Sequence, residues 1–84
     1  MILGVYCIKD AKVGWLTPTV DQNDASAARN FVHAMKNSQS ILYTHPKDFD
    51  LWKIGTFDTE KGQIDGLFPG TLVFEGASAD IEVK

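Results

Sequence analysis

Apolar positions along this chain follow two different periods. Residues 2–8 hold isoleucine, leucine, valine, tyrosine and cysteine around one glycine, a β-rich run of strand length. A turn follows at 10–12, and 13–20 predicts a short second strand that Pro18 would confine to a sheet edge. From 23 to 37 the period changes: Ala25, Ala28, Phe31, Val32 and Met35 recur at three- and four-residue spacing, the stripe of an amphipathic helix. Asn23 suits its N-cap, and Asp24 in the first turn complements the helix dipole. Residues 40–43 read as a connector and 44–48 as a single helical turn, with Pro46 at its first position and Asp48 accepting from the freed amides. Residues 50–57 read as a strand, and 58–62 as a hairpin loop with Gly62 in a left-handed position. The return strand is expected at 63–66, and a last strand at 70–75, entered through a type II turn at Pro69 and Gly70. The fold class is therefore α+β: a small, mostly antiparallel sheet, with strands near 2–8, 50–57, 63–66 and 70–75, packed against one helix at about 23–37. It forms a single domain over 1–76, and 77–84 is expected to be a frayed acidic tail.

This layout leaves a surplus of apolar faces. Strand 2–8 is apolar on both sides, with Leu3, Val5 and Cys7 on one and Ile2, Tyr6 and Ile8 on the other. Strand 50–57 repeats the feature, with Trp52 and Ile54 set against Leu51 and Phe57. One helix covers one face of a small sheet. The second face needs the 13–20 segment, the last strand, a second subunit or a flat apolar ligand.

Composition narrows the class. With 84 residues, 44% of them hydrophobic, the chain has the make-up of one ordinary globular domain. A domain of this size buries only about 60% of its unfolded surface, which makes a homodimer or larger homo-oligomer an expectation. The single cysteine, Cys7, has no partner for a disulfide or a zinc pair, which fits a reducing compartment. No apolar stretch reaches the roughly 18 residues that span a bilayer.

Net charge is −3, unevenly placed. Up to Lys53, six bases (Lys9, Lys12, Arg29, Lys36, Lys47, Lys53) face five acids. Beyond it, six acids face only Lys61 and Lys84. That balance argues against an indiscriminate duplex binder, which needs a strong basic excess.

Candidate chemistry is sparse. His45, Asp48 and Asp50 are close enough in sequence to suggest a metal, but a capped turn is the better reading, so no metal site is expected. Cys7 sits in an apolar strand where a thiol is an inert hydrophobe, so no nucleophile–base pair forms with His33 or His45. The glycines at 55, 62, 66, 70 and 76 are too scattered to cradle a phosphate, and no cofactor is implied. A non-enzymatic, binding role is expected. The remaining signal is aromatic residues beside bases: Trp15 near Lys12, Tyr43 near Lys47, and Trp52 beside Lys53; Lys9, Lys12, Lys47 and Lys53 would meet phosphates, and Trp15, Tyr43 or Trp52 would stack. Single-strand binders interleave such residues, because rings stack on bases while ammonium groups follow phosphates.

One stretch is more specific. In THPKDFDLWKIGTFDTEKG, residues 44–62, a His-Pro-x-Asp-Phe-Asp-Leu run leads into an aromatic residue, then Gly-x-Phe-Asp and a glycine-closed turn. His45, Pro46, Asp48, Phe49, Asp50, Leu51, Trp52, Gly55, Phe57, Asp58 and Gly62 carry this pattern, and Asn23, Asp24, Ala27, Arg29 and Phe31 add a second. Together they resemble the small nonstructural protein, the fifth reading-frame product, of gokushoviruses, single-stranded DNA phages of the Microviridae. The resemblance covers nearly the first two thirds of the chain and stops at Gly66. It implies a nonstructural phage protein of the host cytoplasm that binds single-stranded DNA during genome synthesis or packaging. The rival expectation is a module that docks on a phage replication or capsid-assembly protein without touching nucleic acid.

Overall fold

A computed structural model describes residues 1–78. Strand β1 (Ile2–Asp10) is followed by two short strands, β2 (Gly14–Trp15) and β3 (Thr19–Asp21), then by helix α1 (Asp24–Met35) and the one-turn helix α2 (Ile41–Thr44). A 3-10 turn (Pro46–Asp48) leads into strand β4 (Phe49–Asp58), a hairpin into β5 (Gln63–Glu75), and a second 3-10 turn (Gly76–Ser78) follows. All pairings are antiparallel, in the order β2–β1–β4–β5, with β3 on the same edge of β1 as β2. The α+β class and the single main helix are as the periodicity predicts. The expected frayed tail lies outside the described residues from 79 onward; Ala77 and Ser78 belong to the second 3-10 turn.

The helix sets the core. Asn23 caps it with its side-chain oxygen accepting from the Ser26 amide at 2.8 Å, and Ala27, Phe31 and Met35 are buried. They pack on Tyr6, Phe49 and Leu51 of the sheet, and Phe31 meets Phe74 edge to face at 6.0 Å. The buried line is rotated from the predicted stripe: Ala27 takes the place of Ala25, which faces solvent. Burying side chains such as Phe31 and Met35 stabilises by about 1.5–3 kcal/mol each. Tyr6 is 1% exposed beneath the helix, and its hydroxyl donates to the Asp24 carboxylate at 2.6 Å. Sheet and helix start are thereby tied by one charge-assisted bond. Burial, then the hydrogen bond and charge of Asp24, push this phenol well above its ordinary value.

Several local expectations change in detail. The 13–20 segment is two strands, β2 and β3, because the Leu16–Pro18 link leaves the ladder, as a proline without an N–H favours. The predicted connector at 40–43 contains α2, capped by Ser40, whose Oγ accepts from the Leu42 amide at 3.0 Å. Pro46 opens its turn as expected, but no side chain caps that turn. The working carboxylate is Asp50, which accepts from the Gly76 amide at 3.2 Å. Strands expected at 63–66 and 70–75 are one strand, and the type II turn is absent, since Gly70 is not among the positive-φ glycines.

Two register breaks shape the sheet. Between Val5↔Gly55 and Tyr6↔Lys53, Ile54 is bulged out of the β1–β4 ladder. Alternation therefore shifts, and Phe57, opposite Leu3, shares the face of Trp52, opposite Cys7, rather than that of Leu51 as expected. Between Gly55↔Gly66 and Lys53↔Thr71, the β5 residues Leu67, Phe68, Pro69 and Gly70 are extruded opposite Ile54 alone.

The β4–β5 hairpin is closed by Asp58, whose side chain accepts from the amides of Glu60 at 2.9 Å and Lys61 at 3.3 Å, and by Gly62 at φ 65°. Gly62→Val should cost at least about 1 kcal/mol, because a β-branched residue is strained in the left-handed region. Gly76 is buried, and a Cβ there would overlap the carbonyl oxygens of Pro46 and Phe49. Gly76→Ala should cost about 1–3 kcal/mol. Urea unfolding of both variants beside the parent checks these values.

Tyr6→Phe should cost about 1–2 kcal/mol in the same assay at neutral pH, through loss of the bond to Asp24. A phenol raised in the folded state contributes stability that is intact below its unfolded value of about 10 and is lost as pH rises above it. The parent should therefore lose stability above about pH 10, and the Tyr6→Phe variant should lose less over that window.

Candidate functional site

The sheet face away from α1 carries Leu3, Val5, Cys7 and Lys9 from β1, Trp52, Ile54 and Phe57 from β4, and Ile64 and Leu72 from β5, as the pairing register dictates. Val5 and Cys7 are nevertheless buried. The Cys7 thiol donates to the Leu16 carbonyl at 2.9 Å, which draws the β2–β3 link against the middle of β1. Burial pushes this thiol up, with the Leu16 bond pulling weakly the other way, so it stays protonated and inert.

Farther along that face an apolar cleft of about 470 Å³ opens between Lys9, Trp15, Trp52, Ile54 and the extruded segment Leu67–Gly70. Trp15 arrives there because β2 pairs it with Lys9, after a turn in which Gly14 takes φ 114°. Its ring meets Trp52 edge to face at 5.9 Å, and the Lys9 ammonium lies 5.4 Å from its centroid, within cation–π range. The indole N–H of Trp52 is buried and has no hydrogen-bond partner among the described residues. Trp15 is 50% exposed, and Phe68, at the crest of the extrusion, is 98% exposed. The bulge at Ile54 and the extrusion opposite it make the cleft: one raises its floor and the other builds its outer wall.

The seven residues that sequence reasoning selects for nucleic-acid contact divide into two sets. Lys9, Trp15 and Trp52 converge on the cleft, although they come from three strands. Lys12 lies exposed in the turn that carries Trp15, its amide held by the Asp10 carboxylate at 2.9 Å. Lys53 does not join Trp52, because neighbours on a strand face opposite ways. It pairs with Tyr6 on the helix side and lines a hollow near Asn23 and Asp24. Tyr43 and Lys47 belong to α2 and the first 3-10 turn, and neither lines the cleft.

Sequence reasoning misses Phe68 and Leu67, whose signal is an apolar pair in an uncharged run, 66–74, assigned to a turn and a strand. It also misses a hollow of about 430 Å³ between α1 and Phe74 that gathers Arg29, His33 and Lys36, legible from their four- and three-residue spacing. Among the described residues no three of His, Cys, Asp and Glu converge to hold a metal, and no helix is long and apolar enough to cross a membrane.

Comparison with known proteins gives one result. Neither curated proteins nor solved structures provide a significant match. A family model described as phage ORF5 protein matches residues 3–79, from the start of β1 past the second 3-10 turn. The chain belongs to the phage ORF5 protein family and is a bacteriophage protein.

Proposed function

We propose that this phage accessory protein is non-enzymatic and binds single-stranded DNA, stacking bases in the cleft between Trp15, Trp52 and Phe68. The observation that carries the reading is the convergence of Lys9, Trp15 and Trp52, distant in sequence, around one apolar opening with an aromatic ring standing free at its edge. Base stacking on such rings contributes about 1–3 kcal/mol per base and tolerates any sequence. Lys9 and Lys12 supply the phosphate contacts. The resemblance to gokushovirus nonstructural proteins supports a role in genome synthesis or packaging in the host cytoplasm. With a net charge of −3 the protein gains nothing from long-range attraction, so affinity is modest.

A second reading is docking on a phage replication or assembly protein through the same face. It is favoured by the scarcity of charge there: Ile54, Leu67, Phe68 and Leu72 make an apolar wall, and Lys47 and Lys53 lie elsewhere.

Fluorescence anisotropy of a labelled oligothymidine across a salt series separates the two. With two lysines engaged, the log–log slope should be about −1 to −1.5. Trp15→Ala should weaken binding about fivefold or more. Lys9→Glu should flatten the slope by roughly 0.7, and Lys53→Glu on the far face should leave it unchanged. No binding by the parent at low salt refutes the nucleic-acid reading and leaves the docking one.

A further inference from the structure

We propose that in the free protein the cleft is filled by Phe68 of a second copy of this chain, in a reciprocal two-fold dimer. Phe68 borders its own cleft, yet at 98% exposure it does not fill it. Plug and socket therefore lie side by side on one face. A two-fold axis between facing copies sets each plug opposite the other copy's socket, the self-complementarity that an isologous contact requires. At about 470 Å³ the cleft falls within the roughly 300–1,000 Å³ range of pockets that enclose a small ligand, ample for one phenyl ring.

Area points to the same occupant. Trp15, Ile64, Leu67, Phe68 and Leu72 are 50%, 66%, 41%, 98% and 41% exposed. At typical side-chain areas they leave on the order of 600 Å² of apolar surface in water, at the upper end for a lone monomer. That patch alone supplies about three quarters of the roughly 800 Å² per partner that a standard interface buries.

Charge opposes nothing in this arrangement. Lys9 is the one ionisable side chain among the described residues lining the cleft, and 66–74 carries no charge, so no carboxylate of that lining meets its counterpart across the contact. Continued strand pairing through the outer edge of β5 is the poorer route to a dimer. The ladder of β5 breaks at Leu67–Gly70 and again between Leu51 and Trp52, and bulges of this kind turn an edge away from further pairing. This one carries a phenyl ring.

Sedimentation equilibrium at micromolar concentration tests the dimer on the full chain. The parent should sediment at twice its 9.3 kDa monomer mass, and Phe68→Asp, at a side chain 98% exposed, should be monomeric with an unchanged circular dichroism spectrum. Phe68→Trp should remain dimeric. Both tryptophans of the chain border the cleft, so diluting the parent should shift their emission to the red as the sockets empty. A monomeric parent, or a Phe68→Asp variant as dimeric as the parent, overturns the proposal. Because the face is the one assigned to DNA, the two readings are scored separately. A dimer that no oligothymidine binds refutes the DNA reading alone, and a monomer that binds it refutes the dimer alone.

Discussion

Two central strands, apolar on both faces, meet among the described residues only one helix long enough to cover a face, and the rest of the structure follows from that mismatch. β1 and β4 pair along almost their whole length. The face that carries Tyr6, Phe49 and Leu51 takes α1, and the face that carries Cys7, Trp52 and Ile54 does not. The second face is covered by smaller means. The β2–β3 link lies against Cys7, Trp15 meets Trp52, and β5 gives up its ladder at Leu67–Gly70 to raise a wall beside Ile54. Each device covers part of the surface. What they leave open is the cleft.

The choice of face is reinforced at the start of the helix. Asn23 and Asp24 are adjacent, and each fixes something different: the Asn23 side chain satisfies a free amide, while Asp24 accepts from Tyr6 in the sheet below. Asn30 adds a bond to Asp21 of β3 at 2.8 Å. With its first turn held to β1 and its middle to β3, the helix is set in a rotation that buries Ala27, Phe31 and Met35. A stripe read from periodicity alone centres one position away, because Ala25 and Ala27 are equally apolar and only the sheet distinguishes them.

What was legible in the sequence was local chemistry. The Asn23 cap, the Pro46 turn and the left-handed Gly62 each depend on a few neighbouring residues, and each was read at its correct position. The register breaks were not legible, because a bulge at Ile54 depends on β1 and on the return strand, not on residues 50–57 themselves. That single bulge moved Phe57 to the other face. The sequence neighbours Trp52 and Lys53 read as one binding pair, although strand alternation separates them. Trp15 and Trp52, with no sequence relation, are the rings that meet. Phe68 was hidden for another reason: an apolar residue before proline reads as a turn entrance, and nothing nearby shows that its ring has no core to enter.

Cleft and plug together make the proposed dimer and the proposed DNA site compete for one apolar surface, and their different physics decides between them. The dimer contact buries rings and aliphatic side chains with almost no charge, so added salt leaves it intact or strengthens it slightly. The DNA contact depends in part on Lys9 and Lys12 releasing counterions from phosphates, and it weakens as salt rises. Displacing a twin's Phe68 also subtracts the dimer's stability from the observed DNA affinity, in the way a partly populated competent state does. Single strand therefore wins where it is locally concentrated, and self-association wins where it is scarce. Under the two proposals, a small protein with a modest core has its apolar face covered in either condition: by a second copy where single strand is scarce, and by stacked bases where it is concentrated.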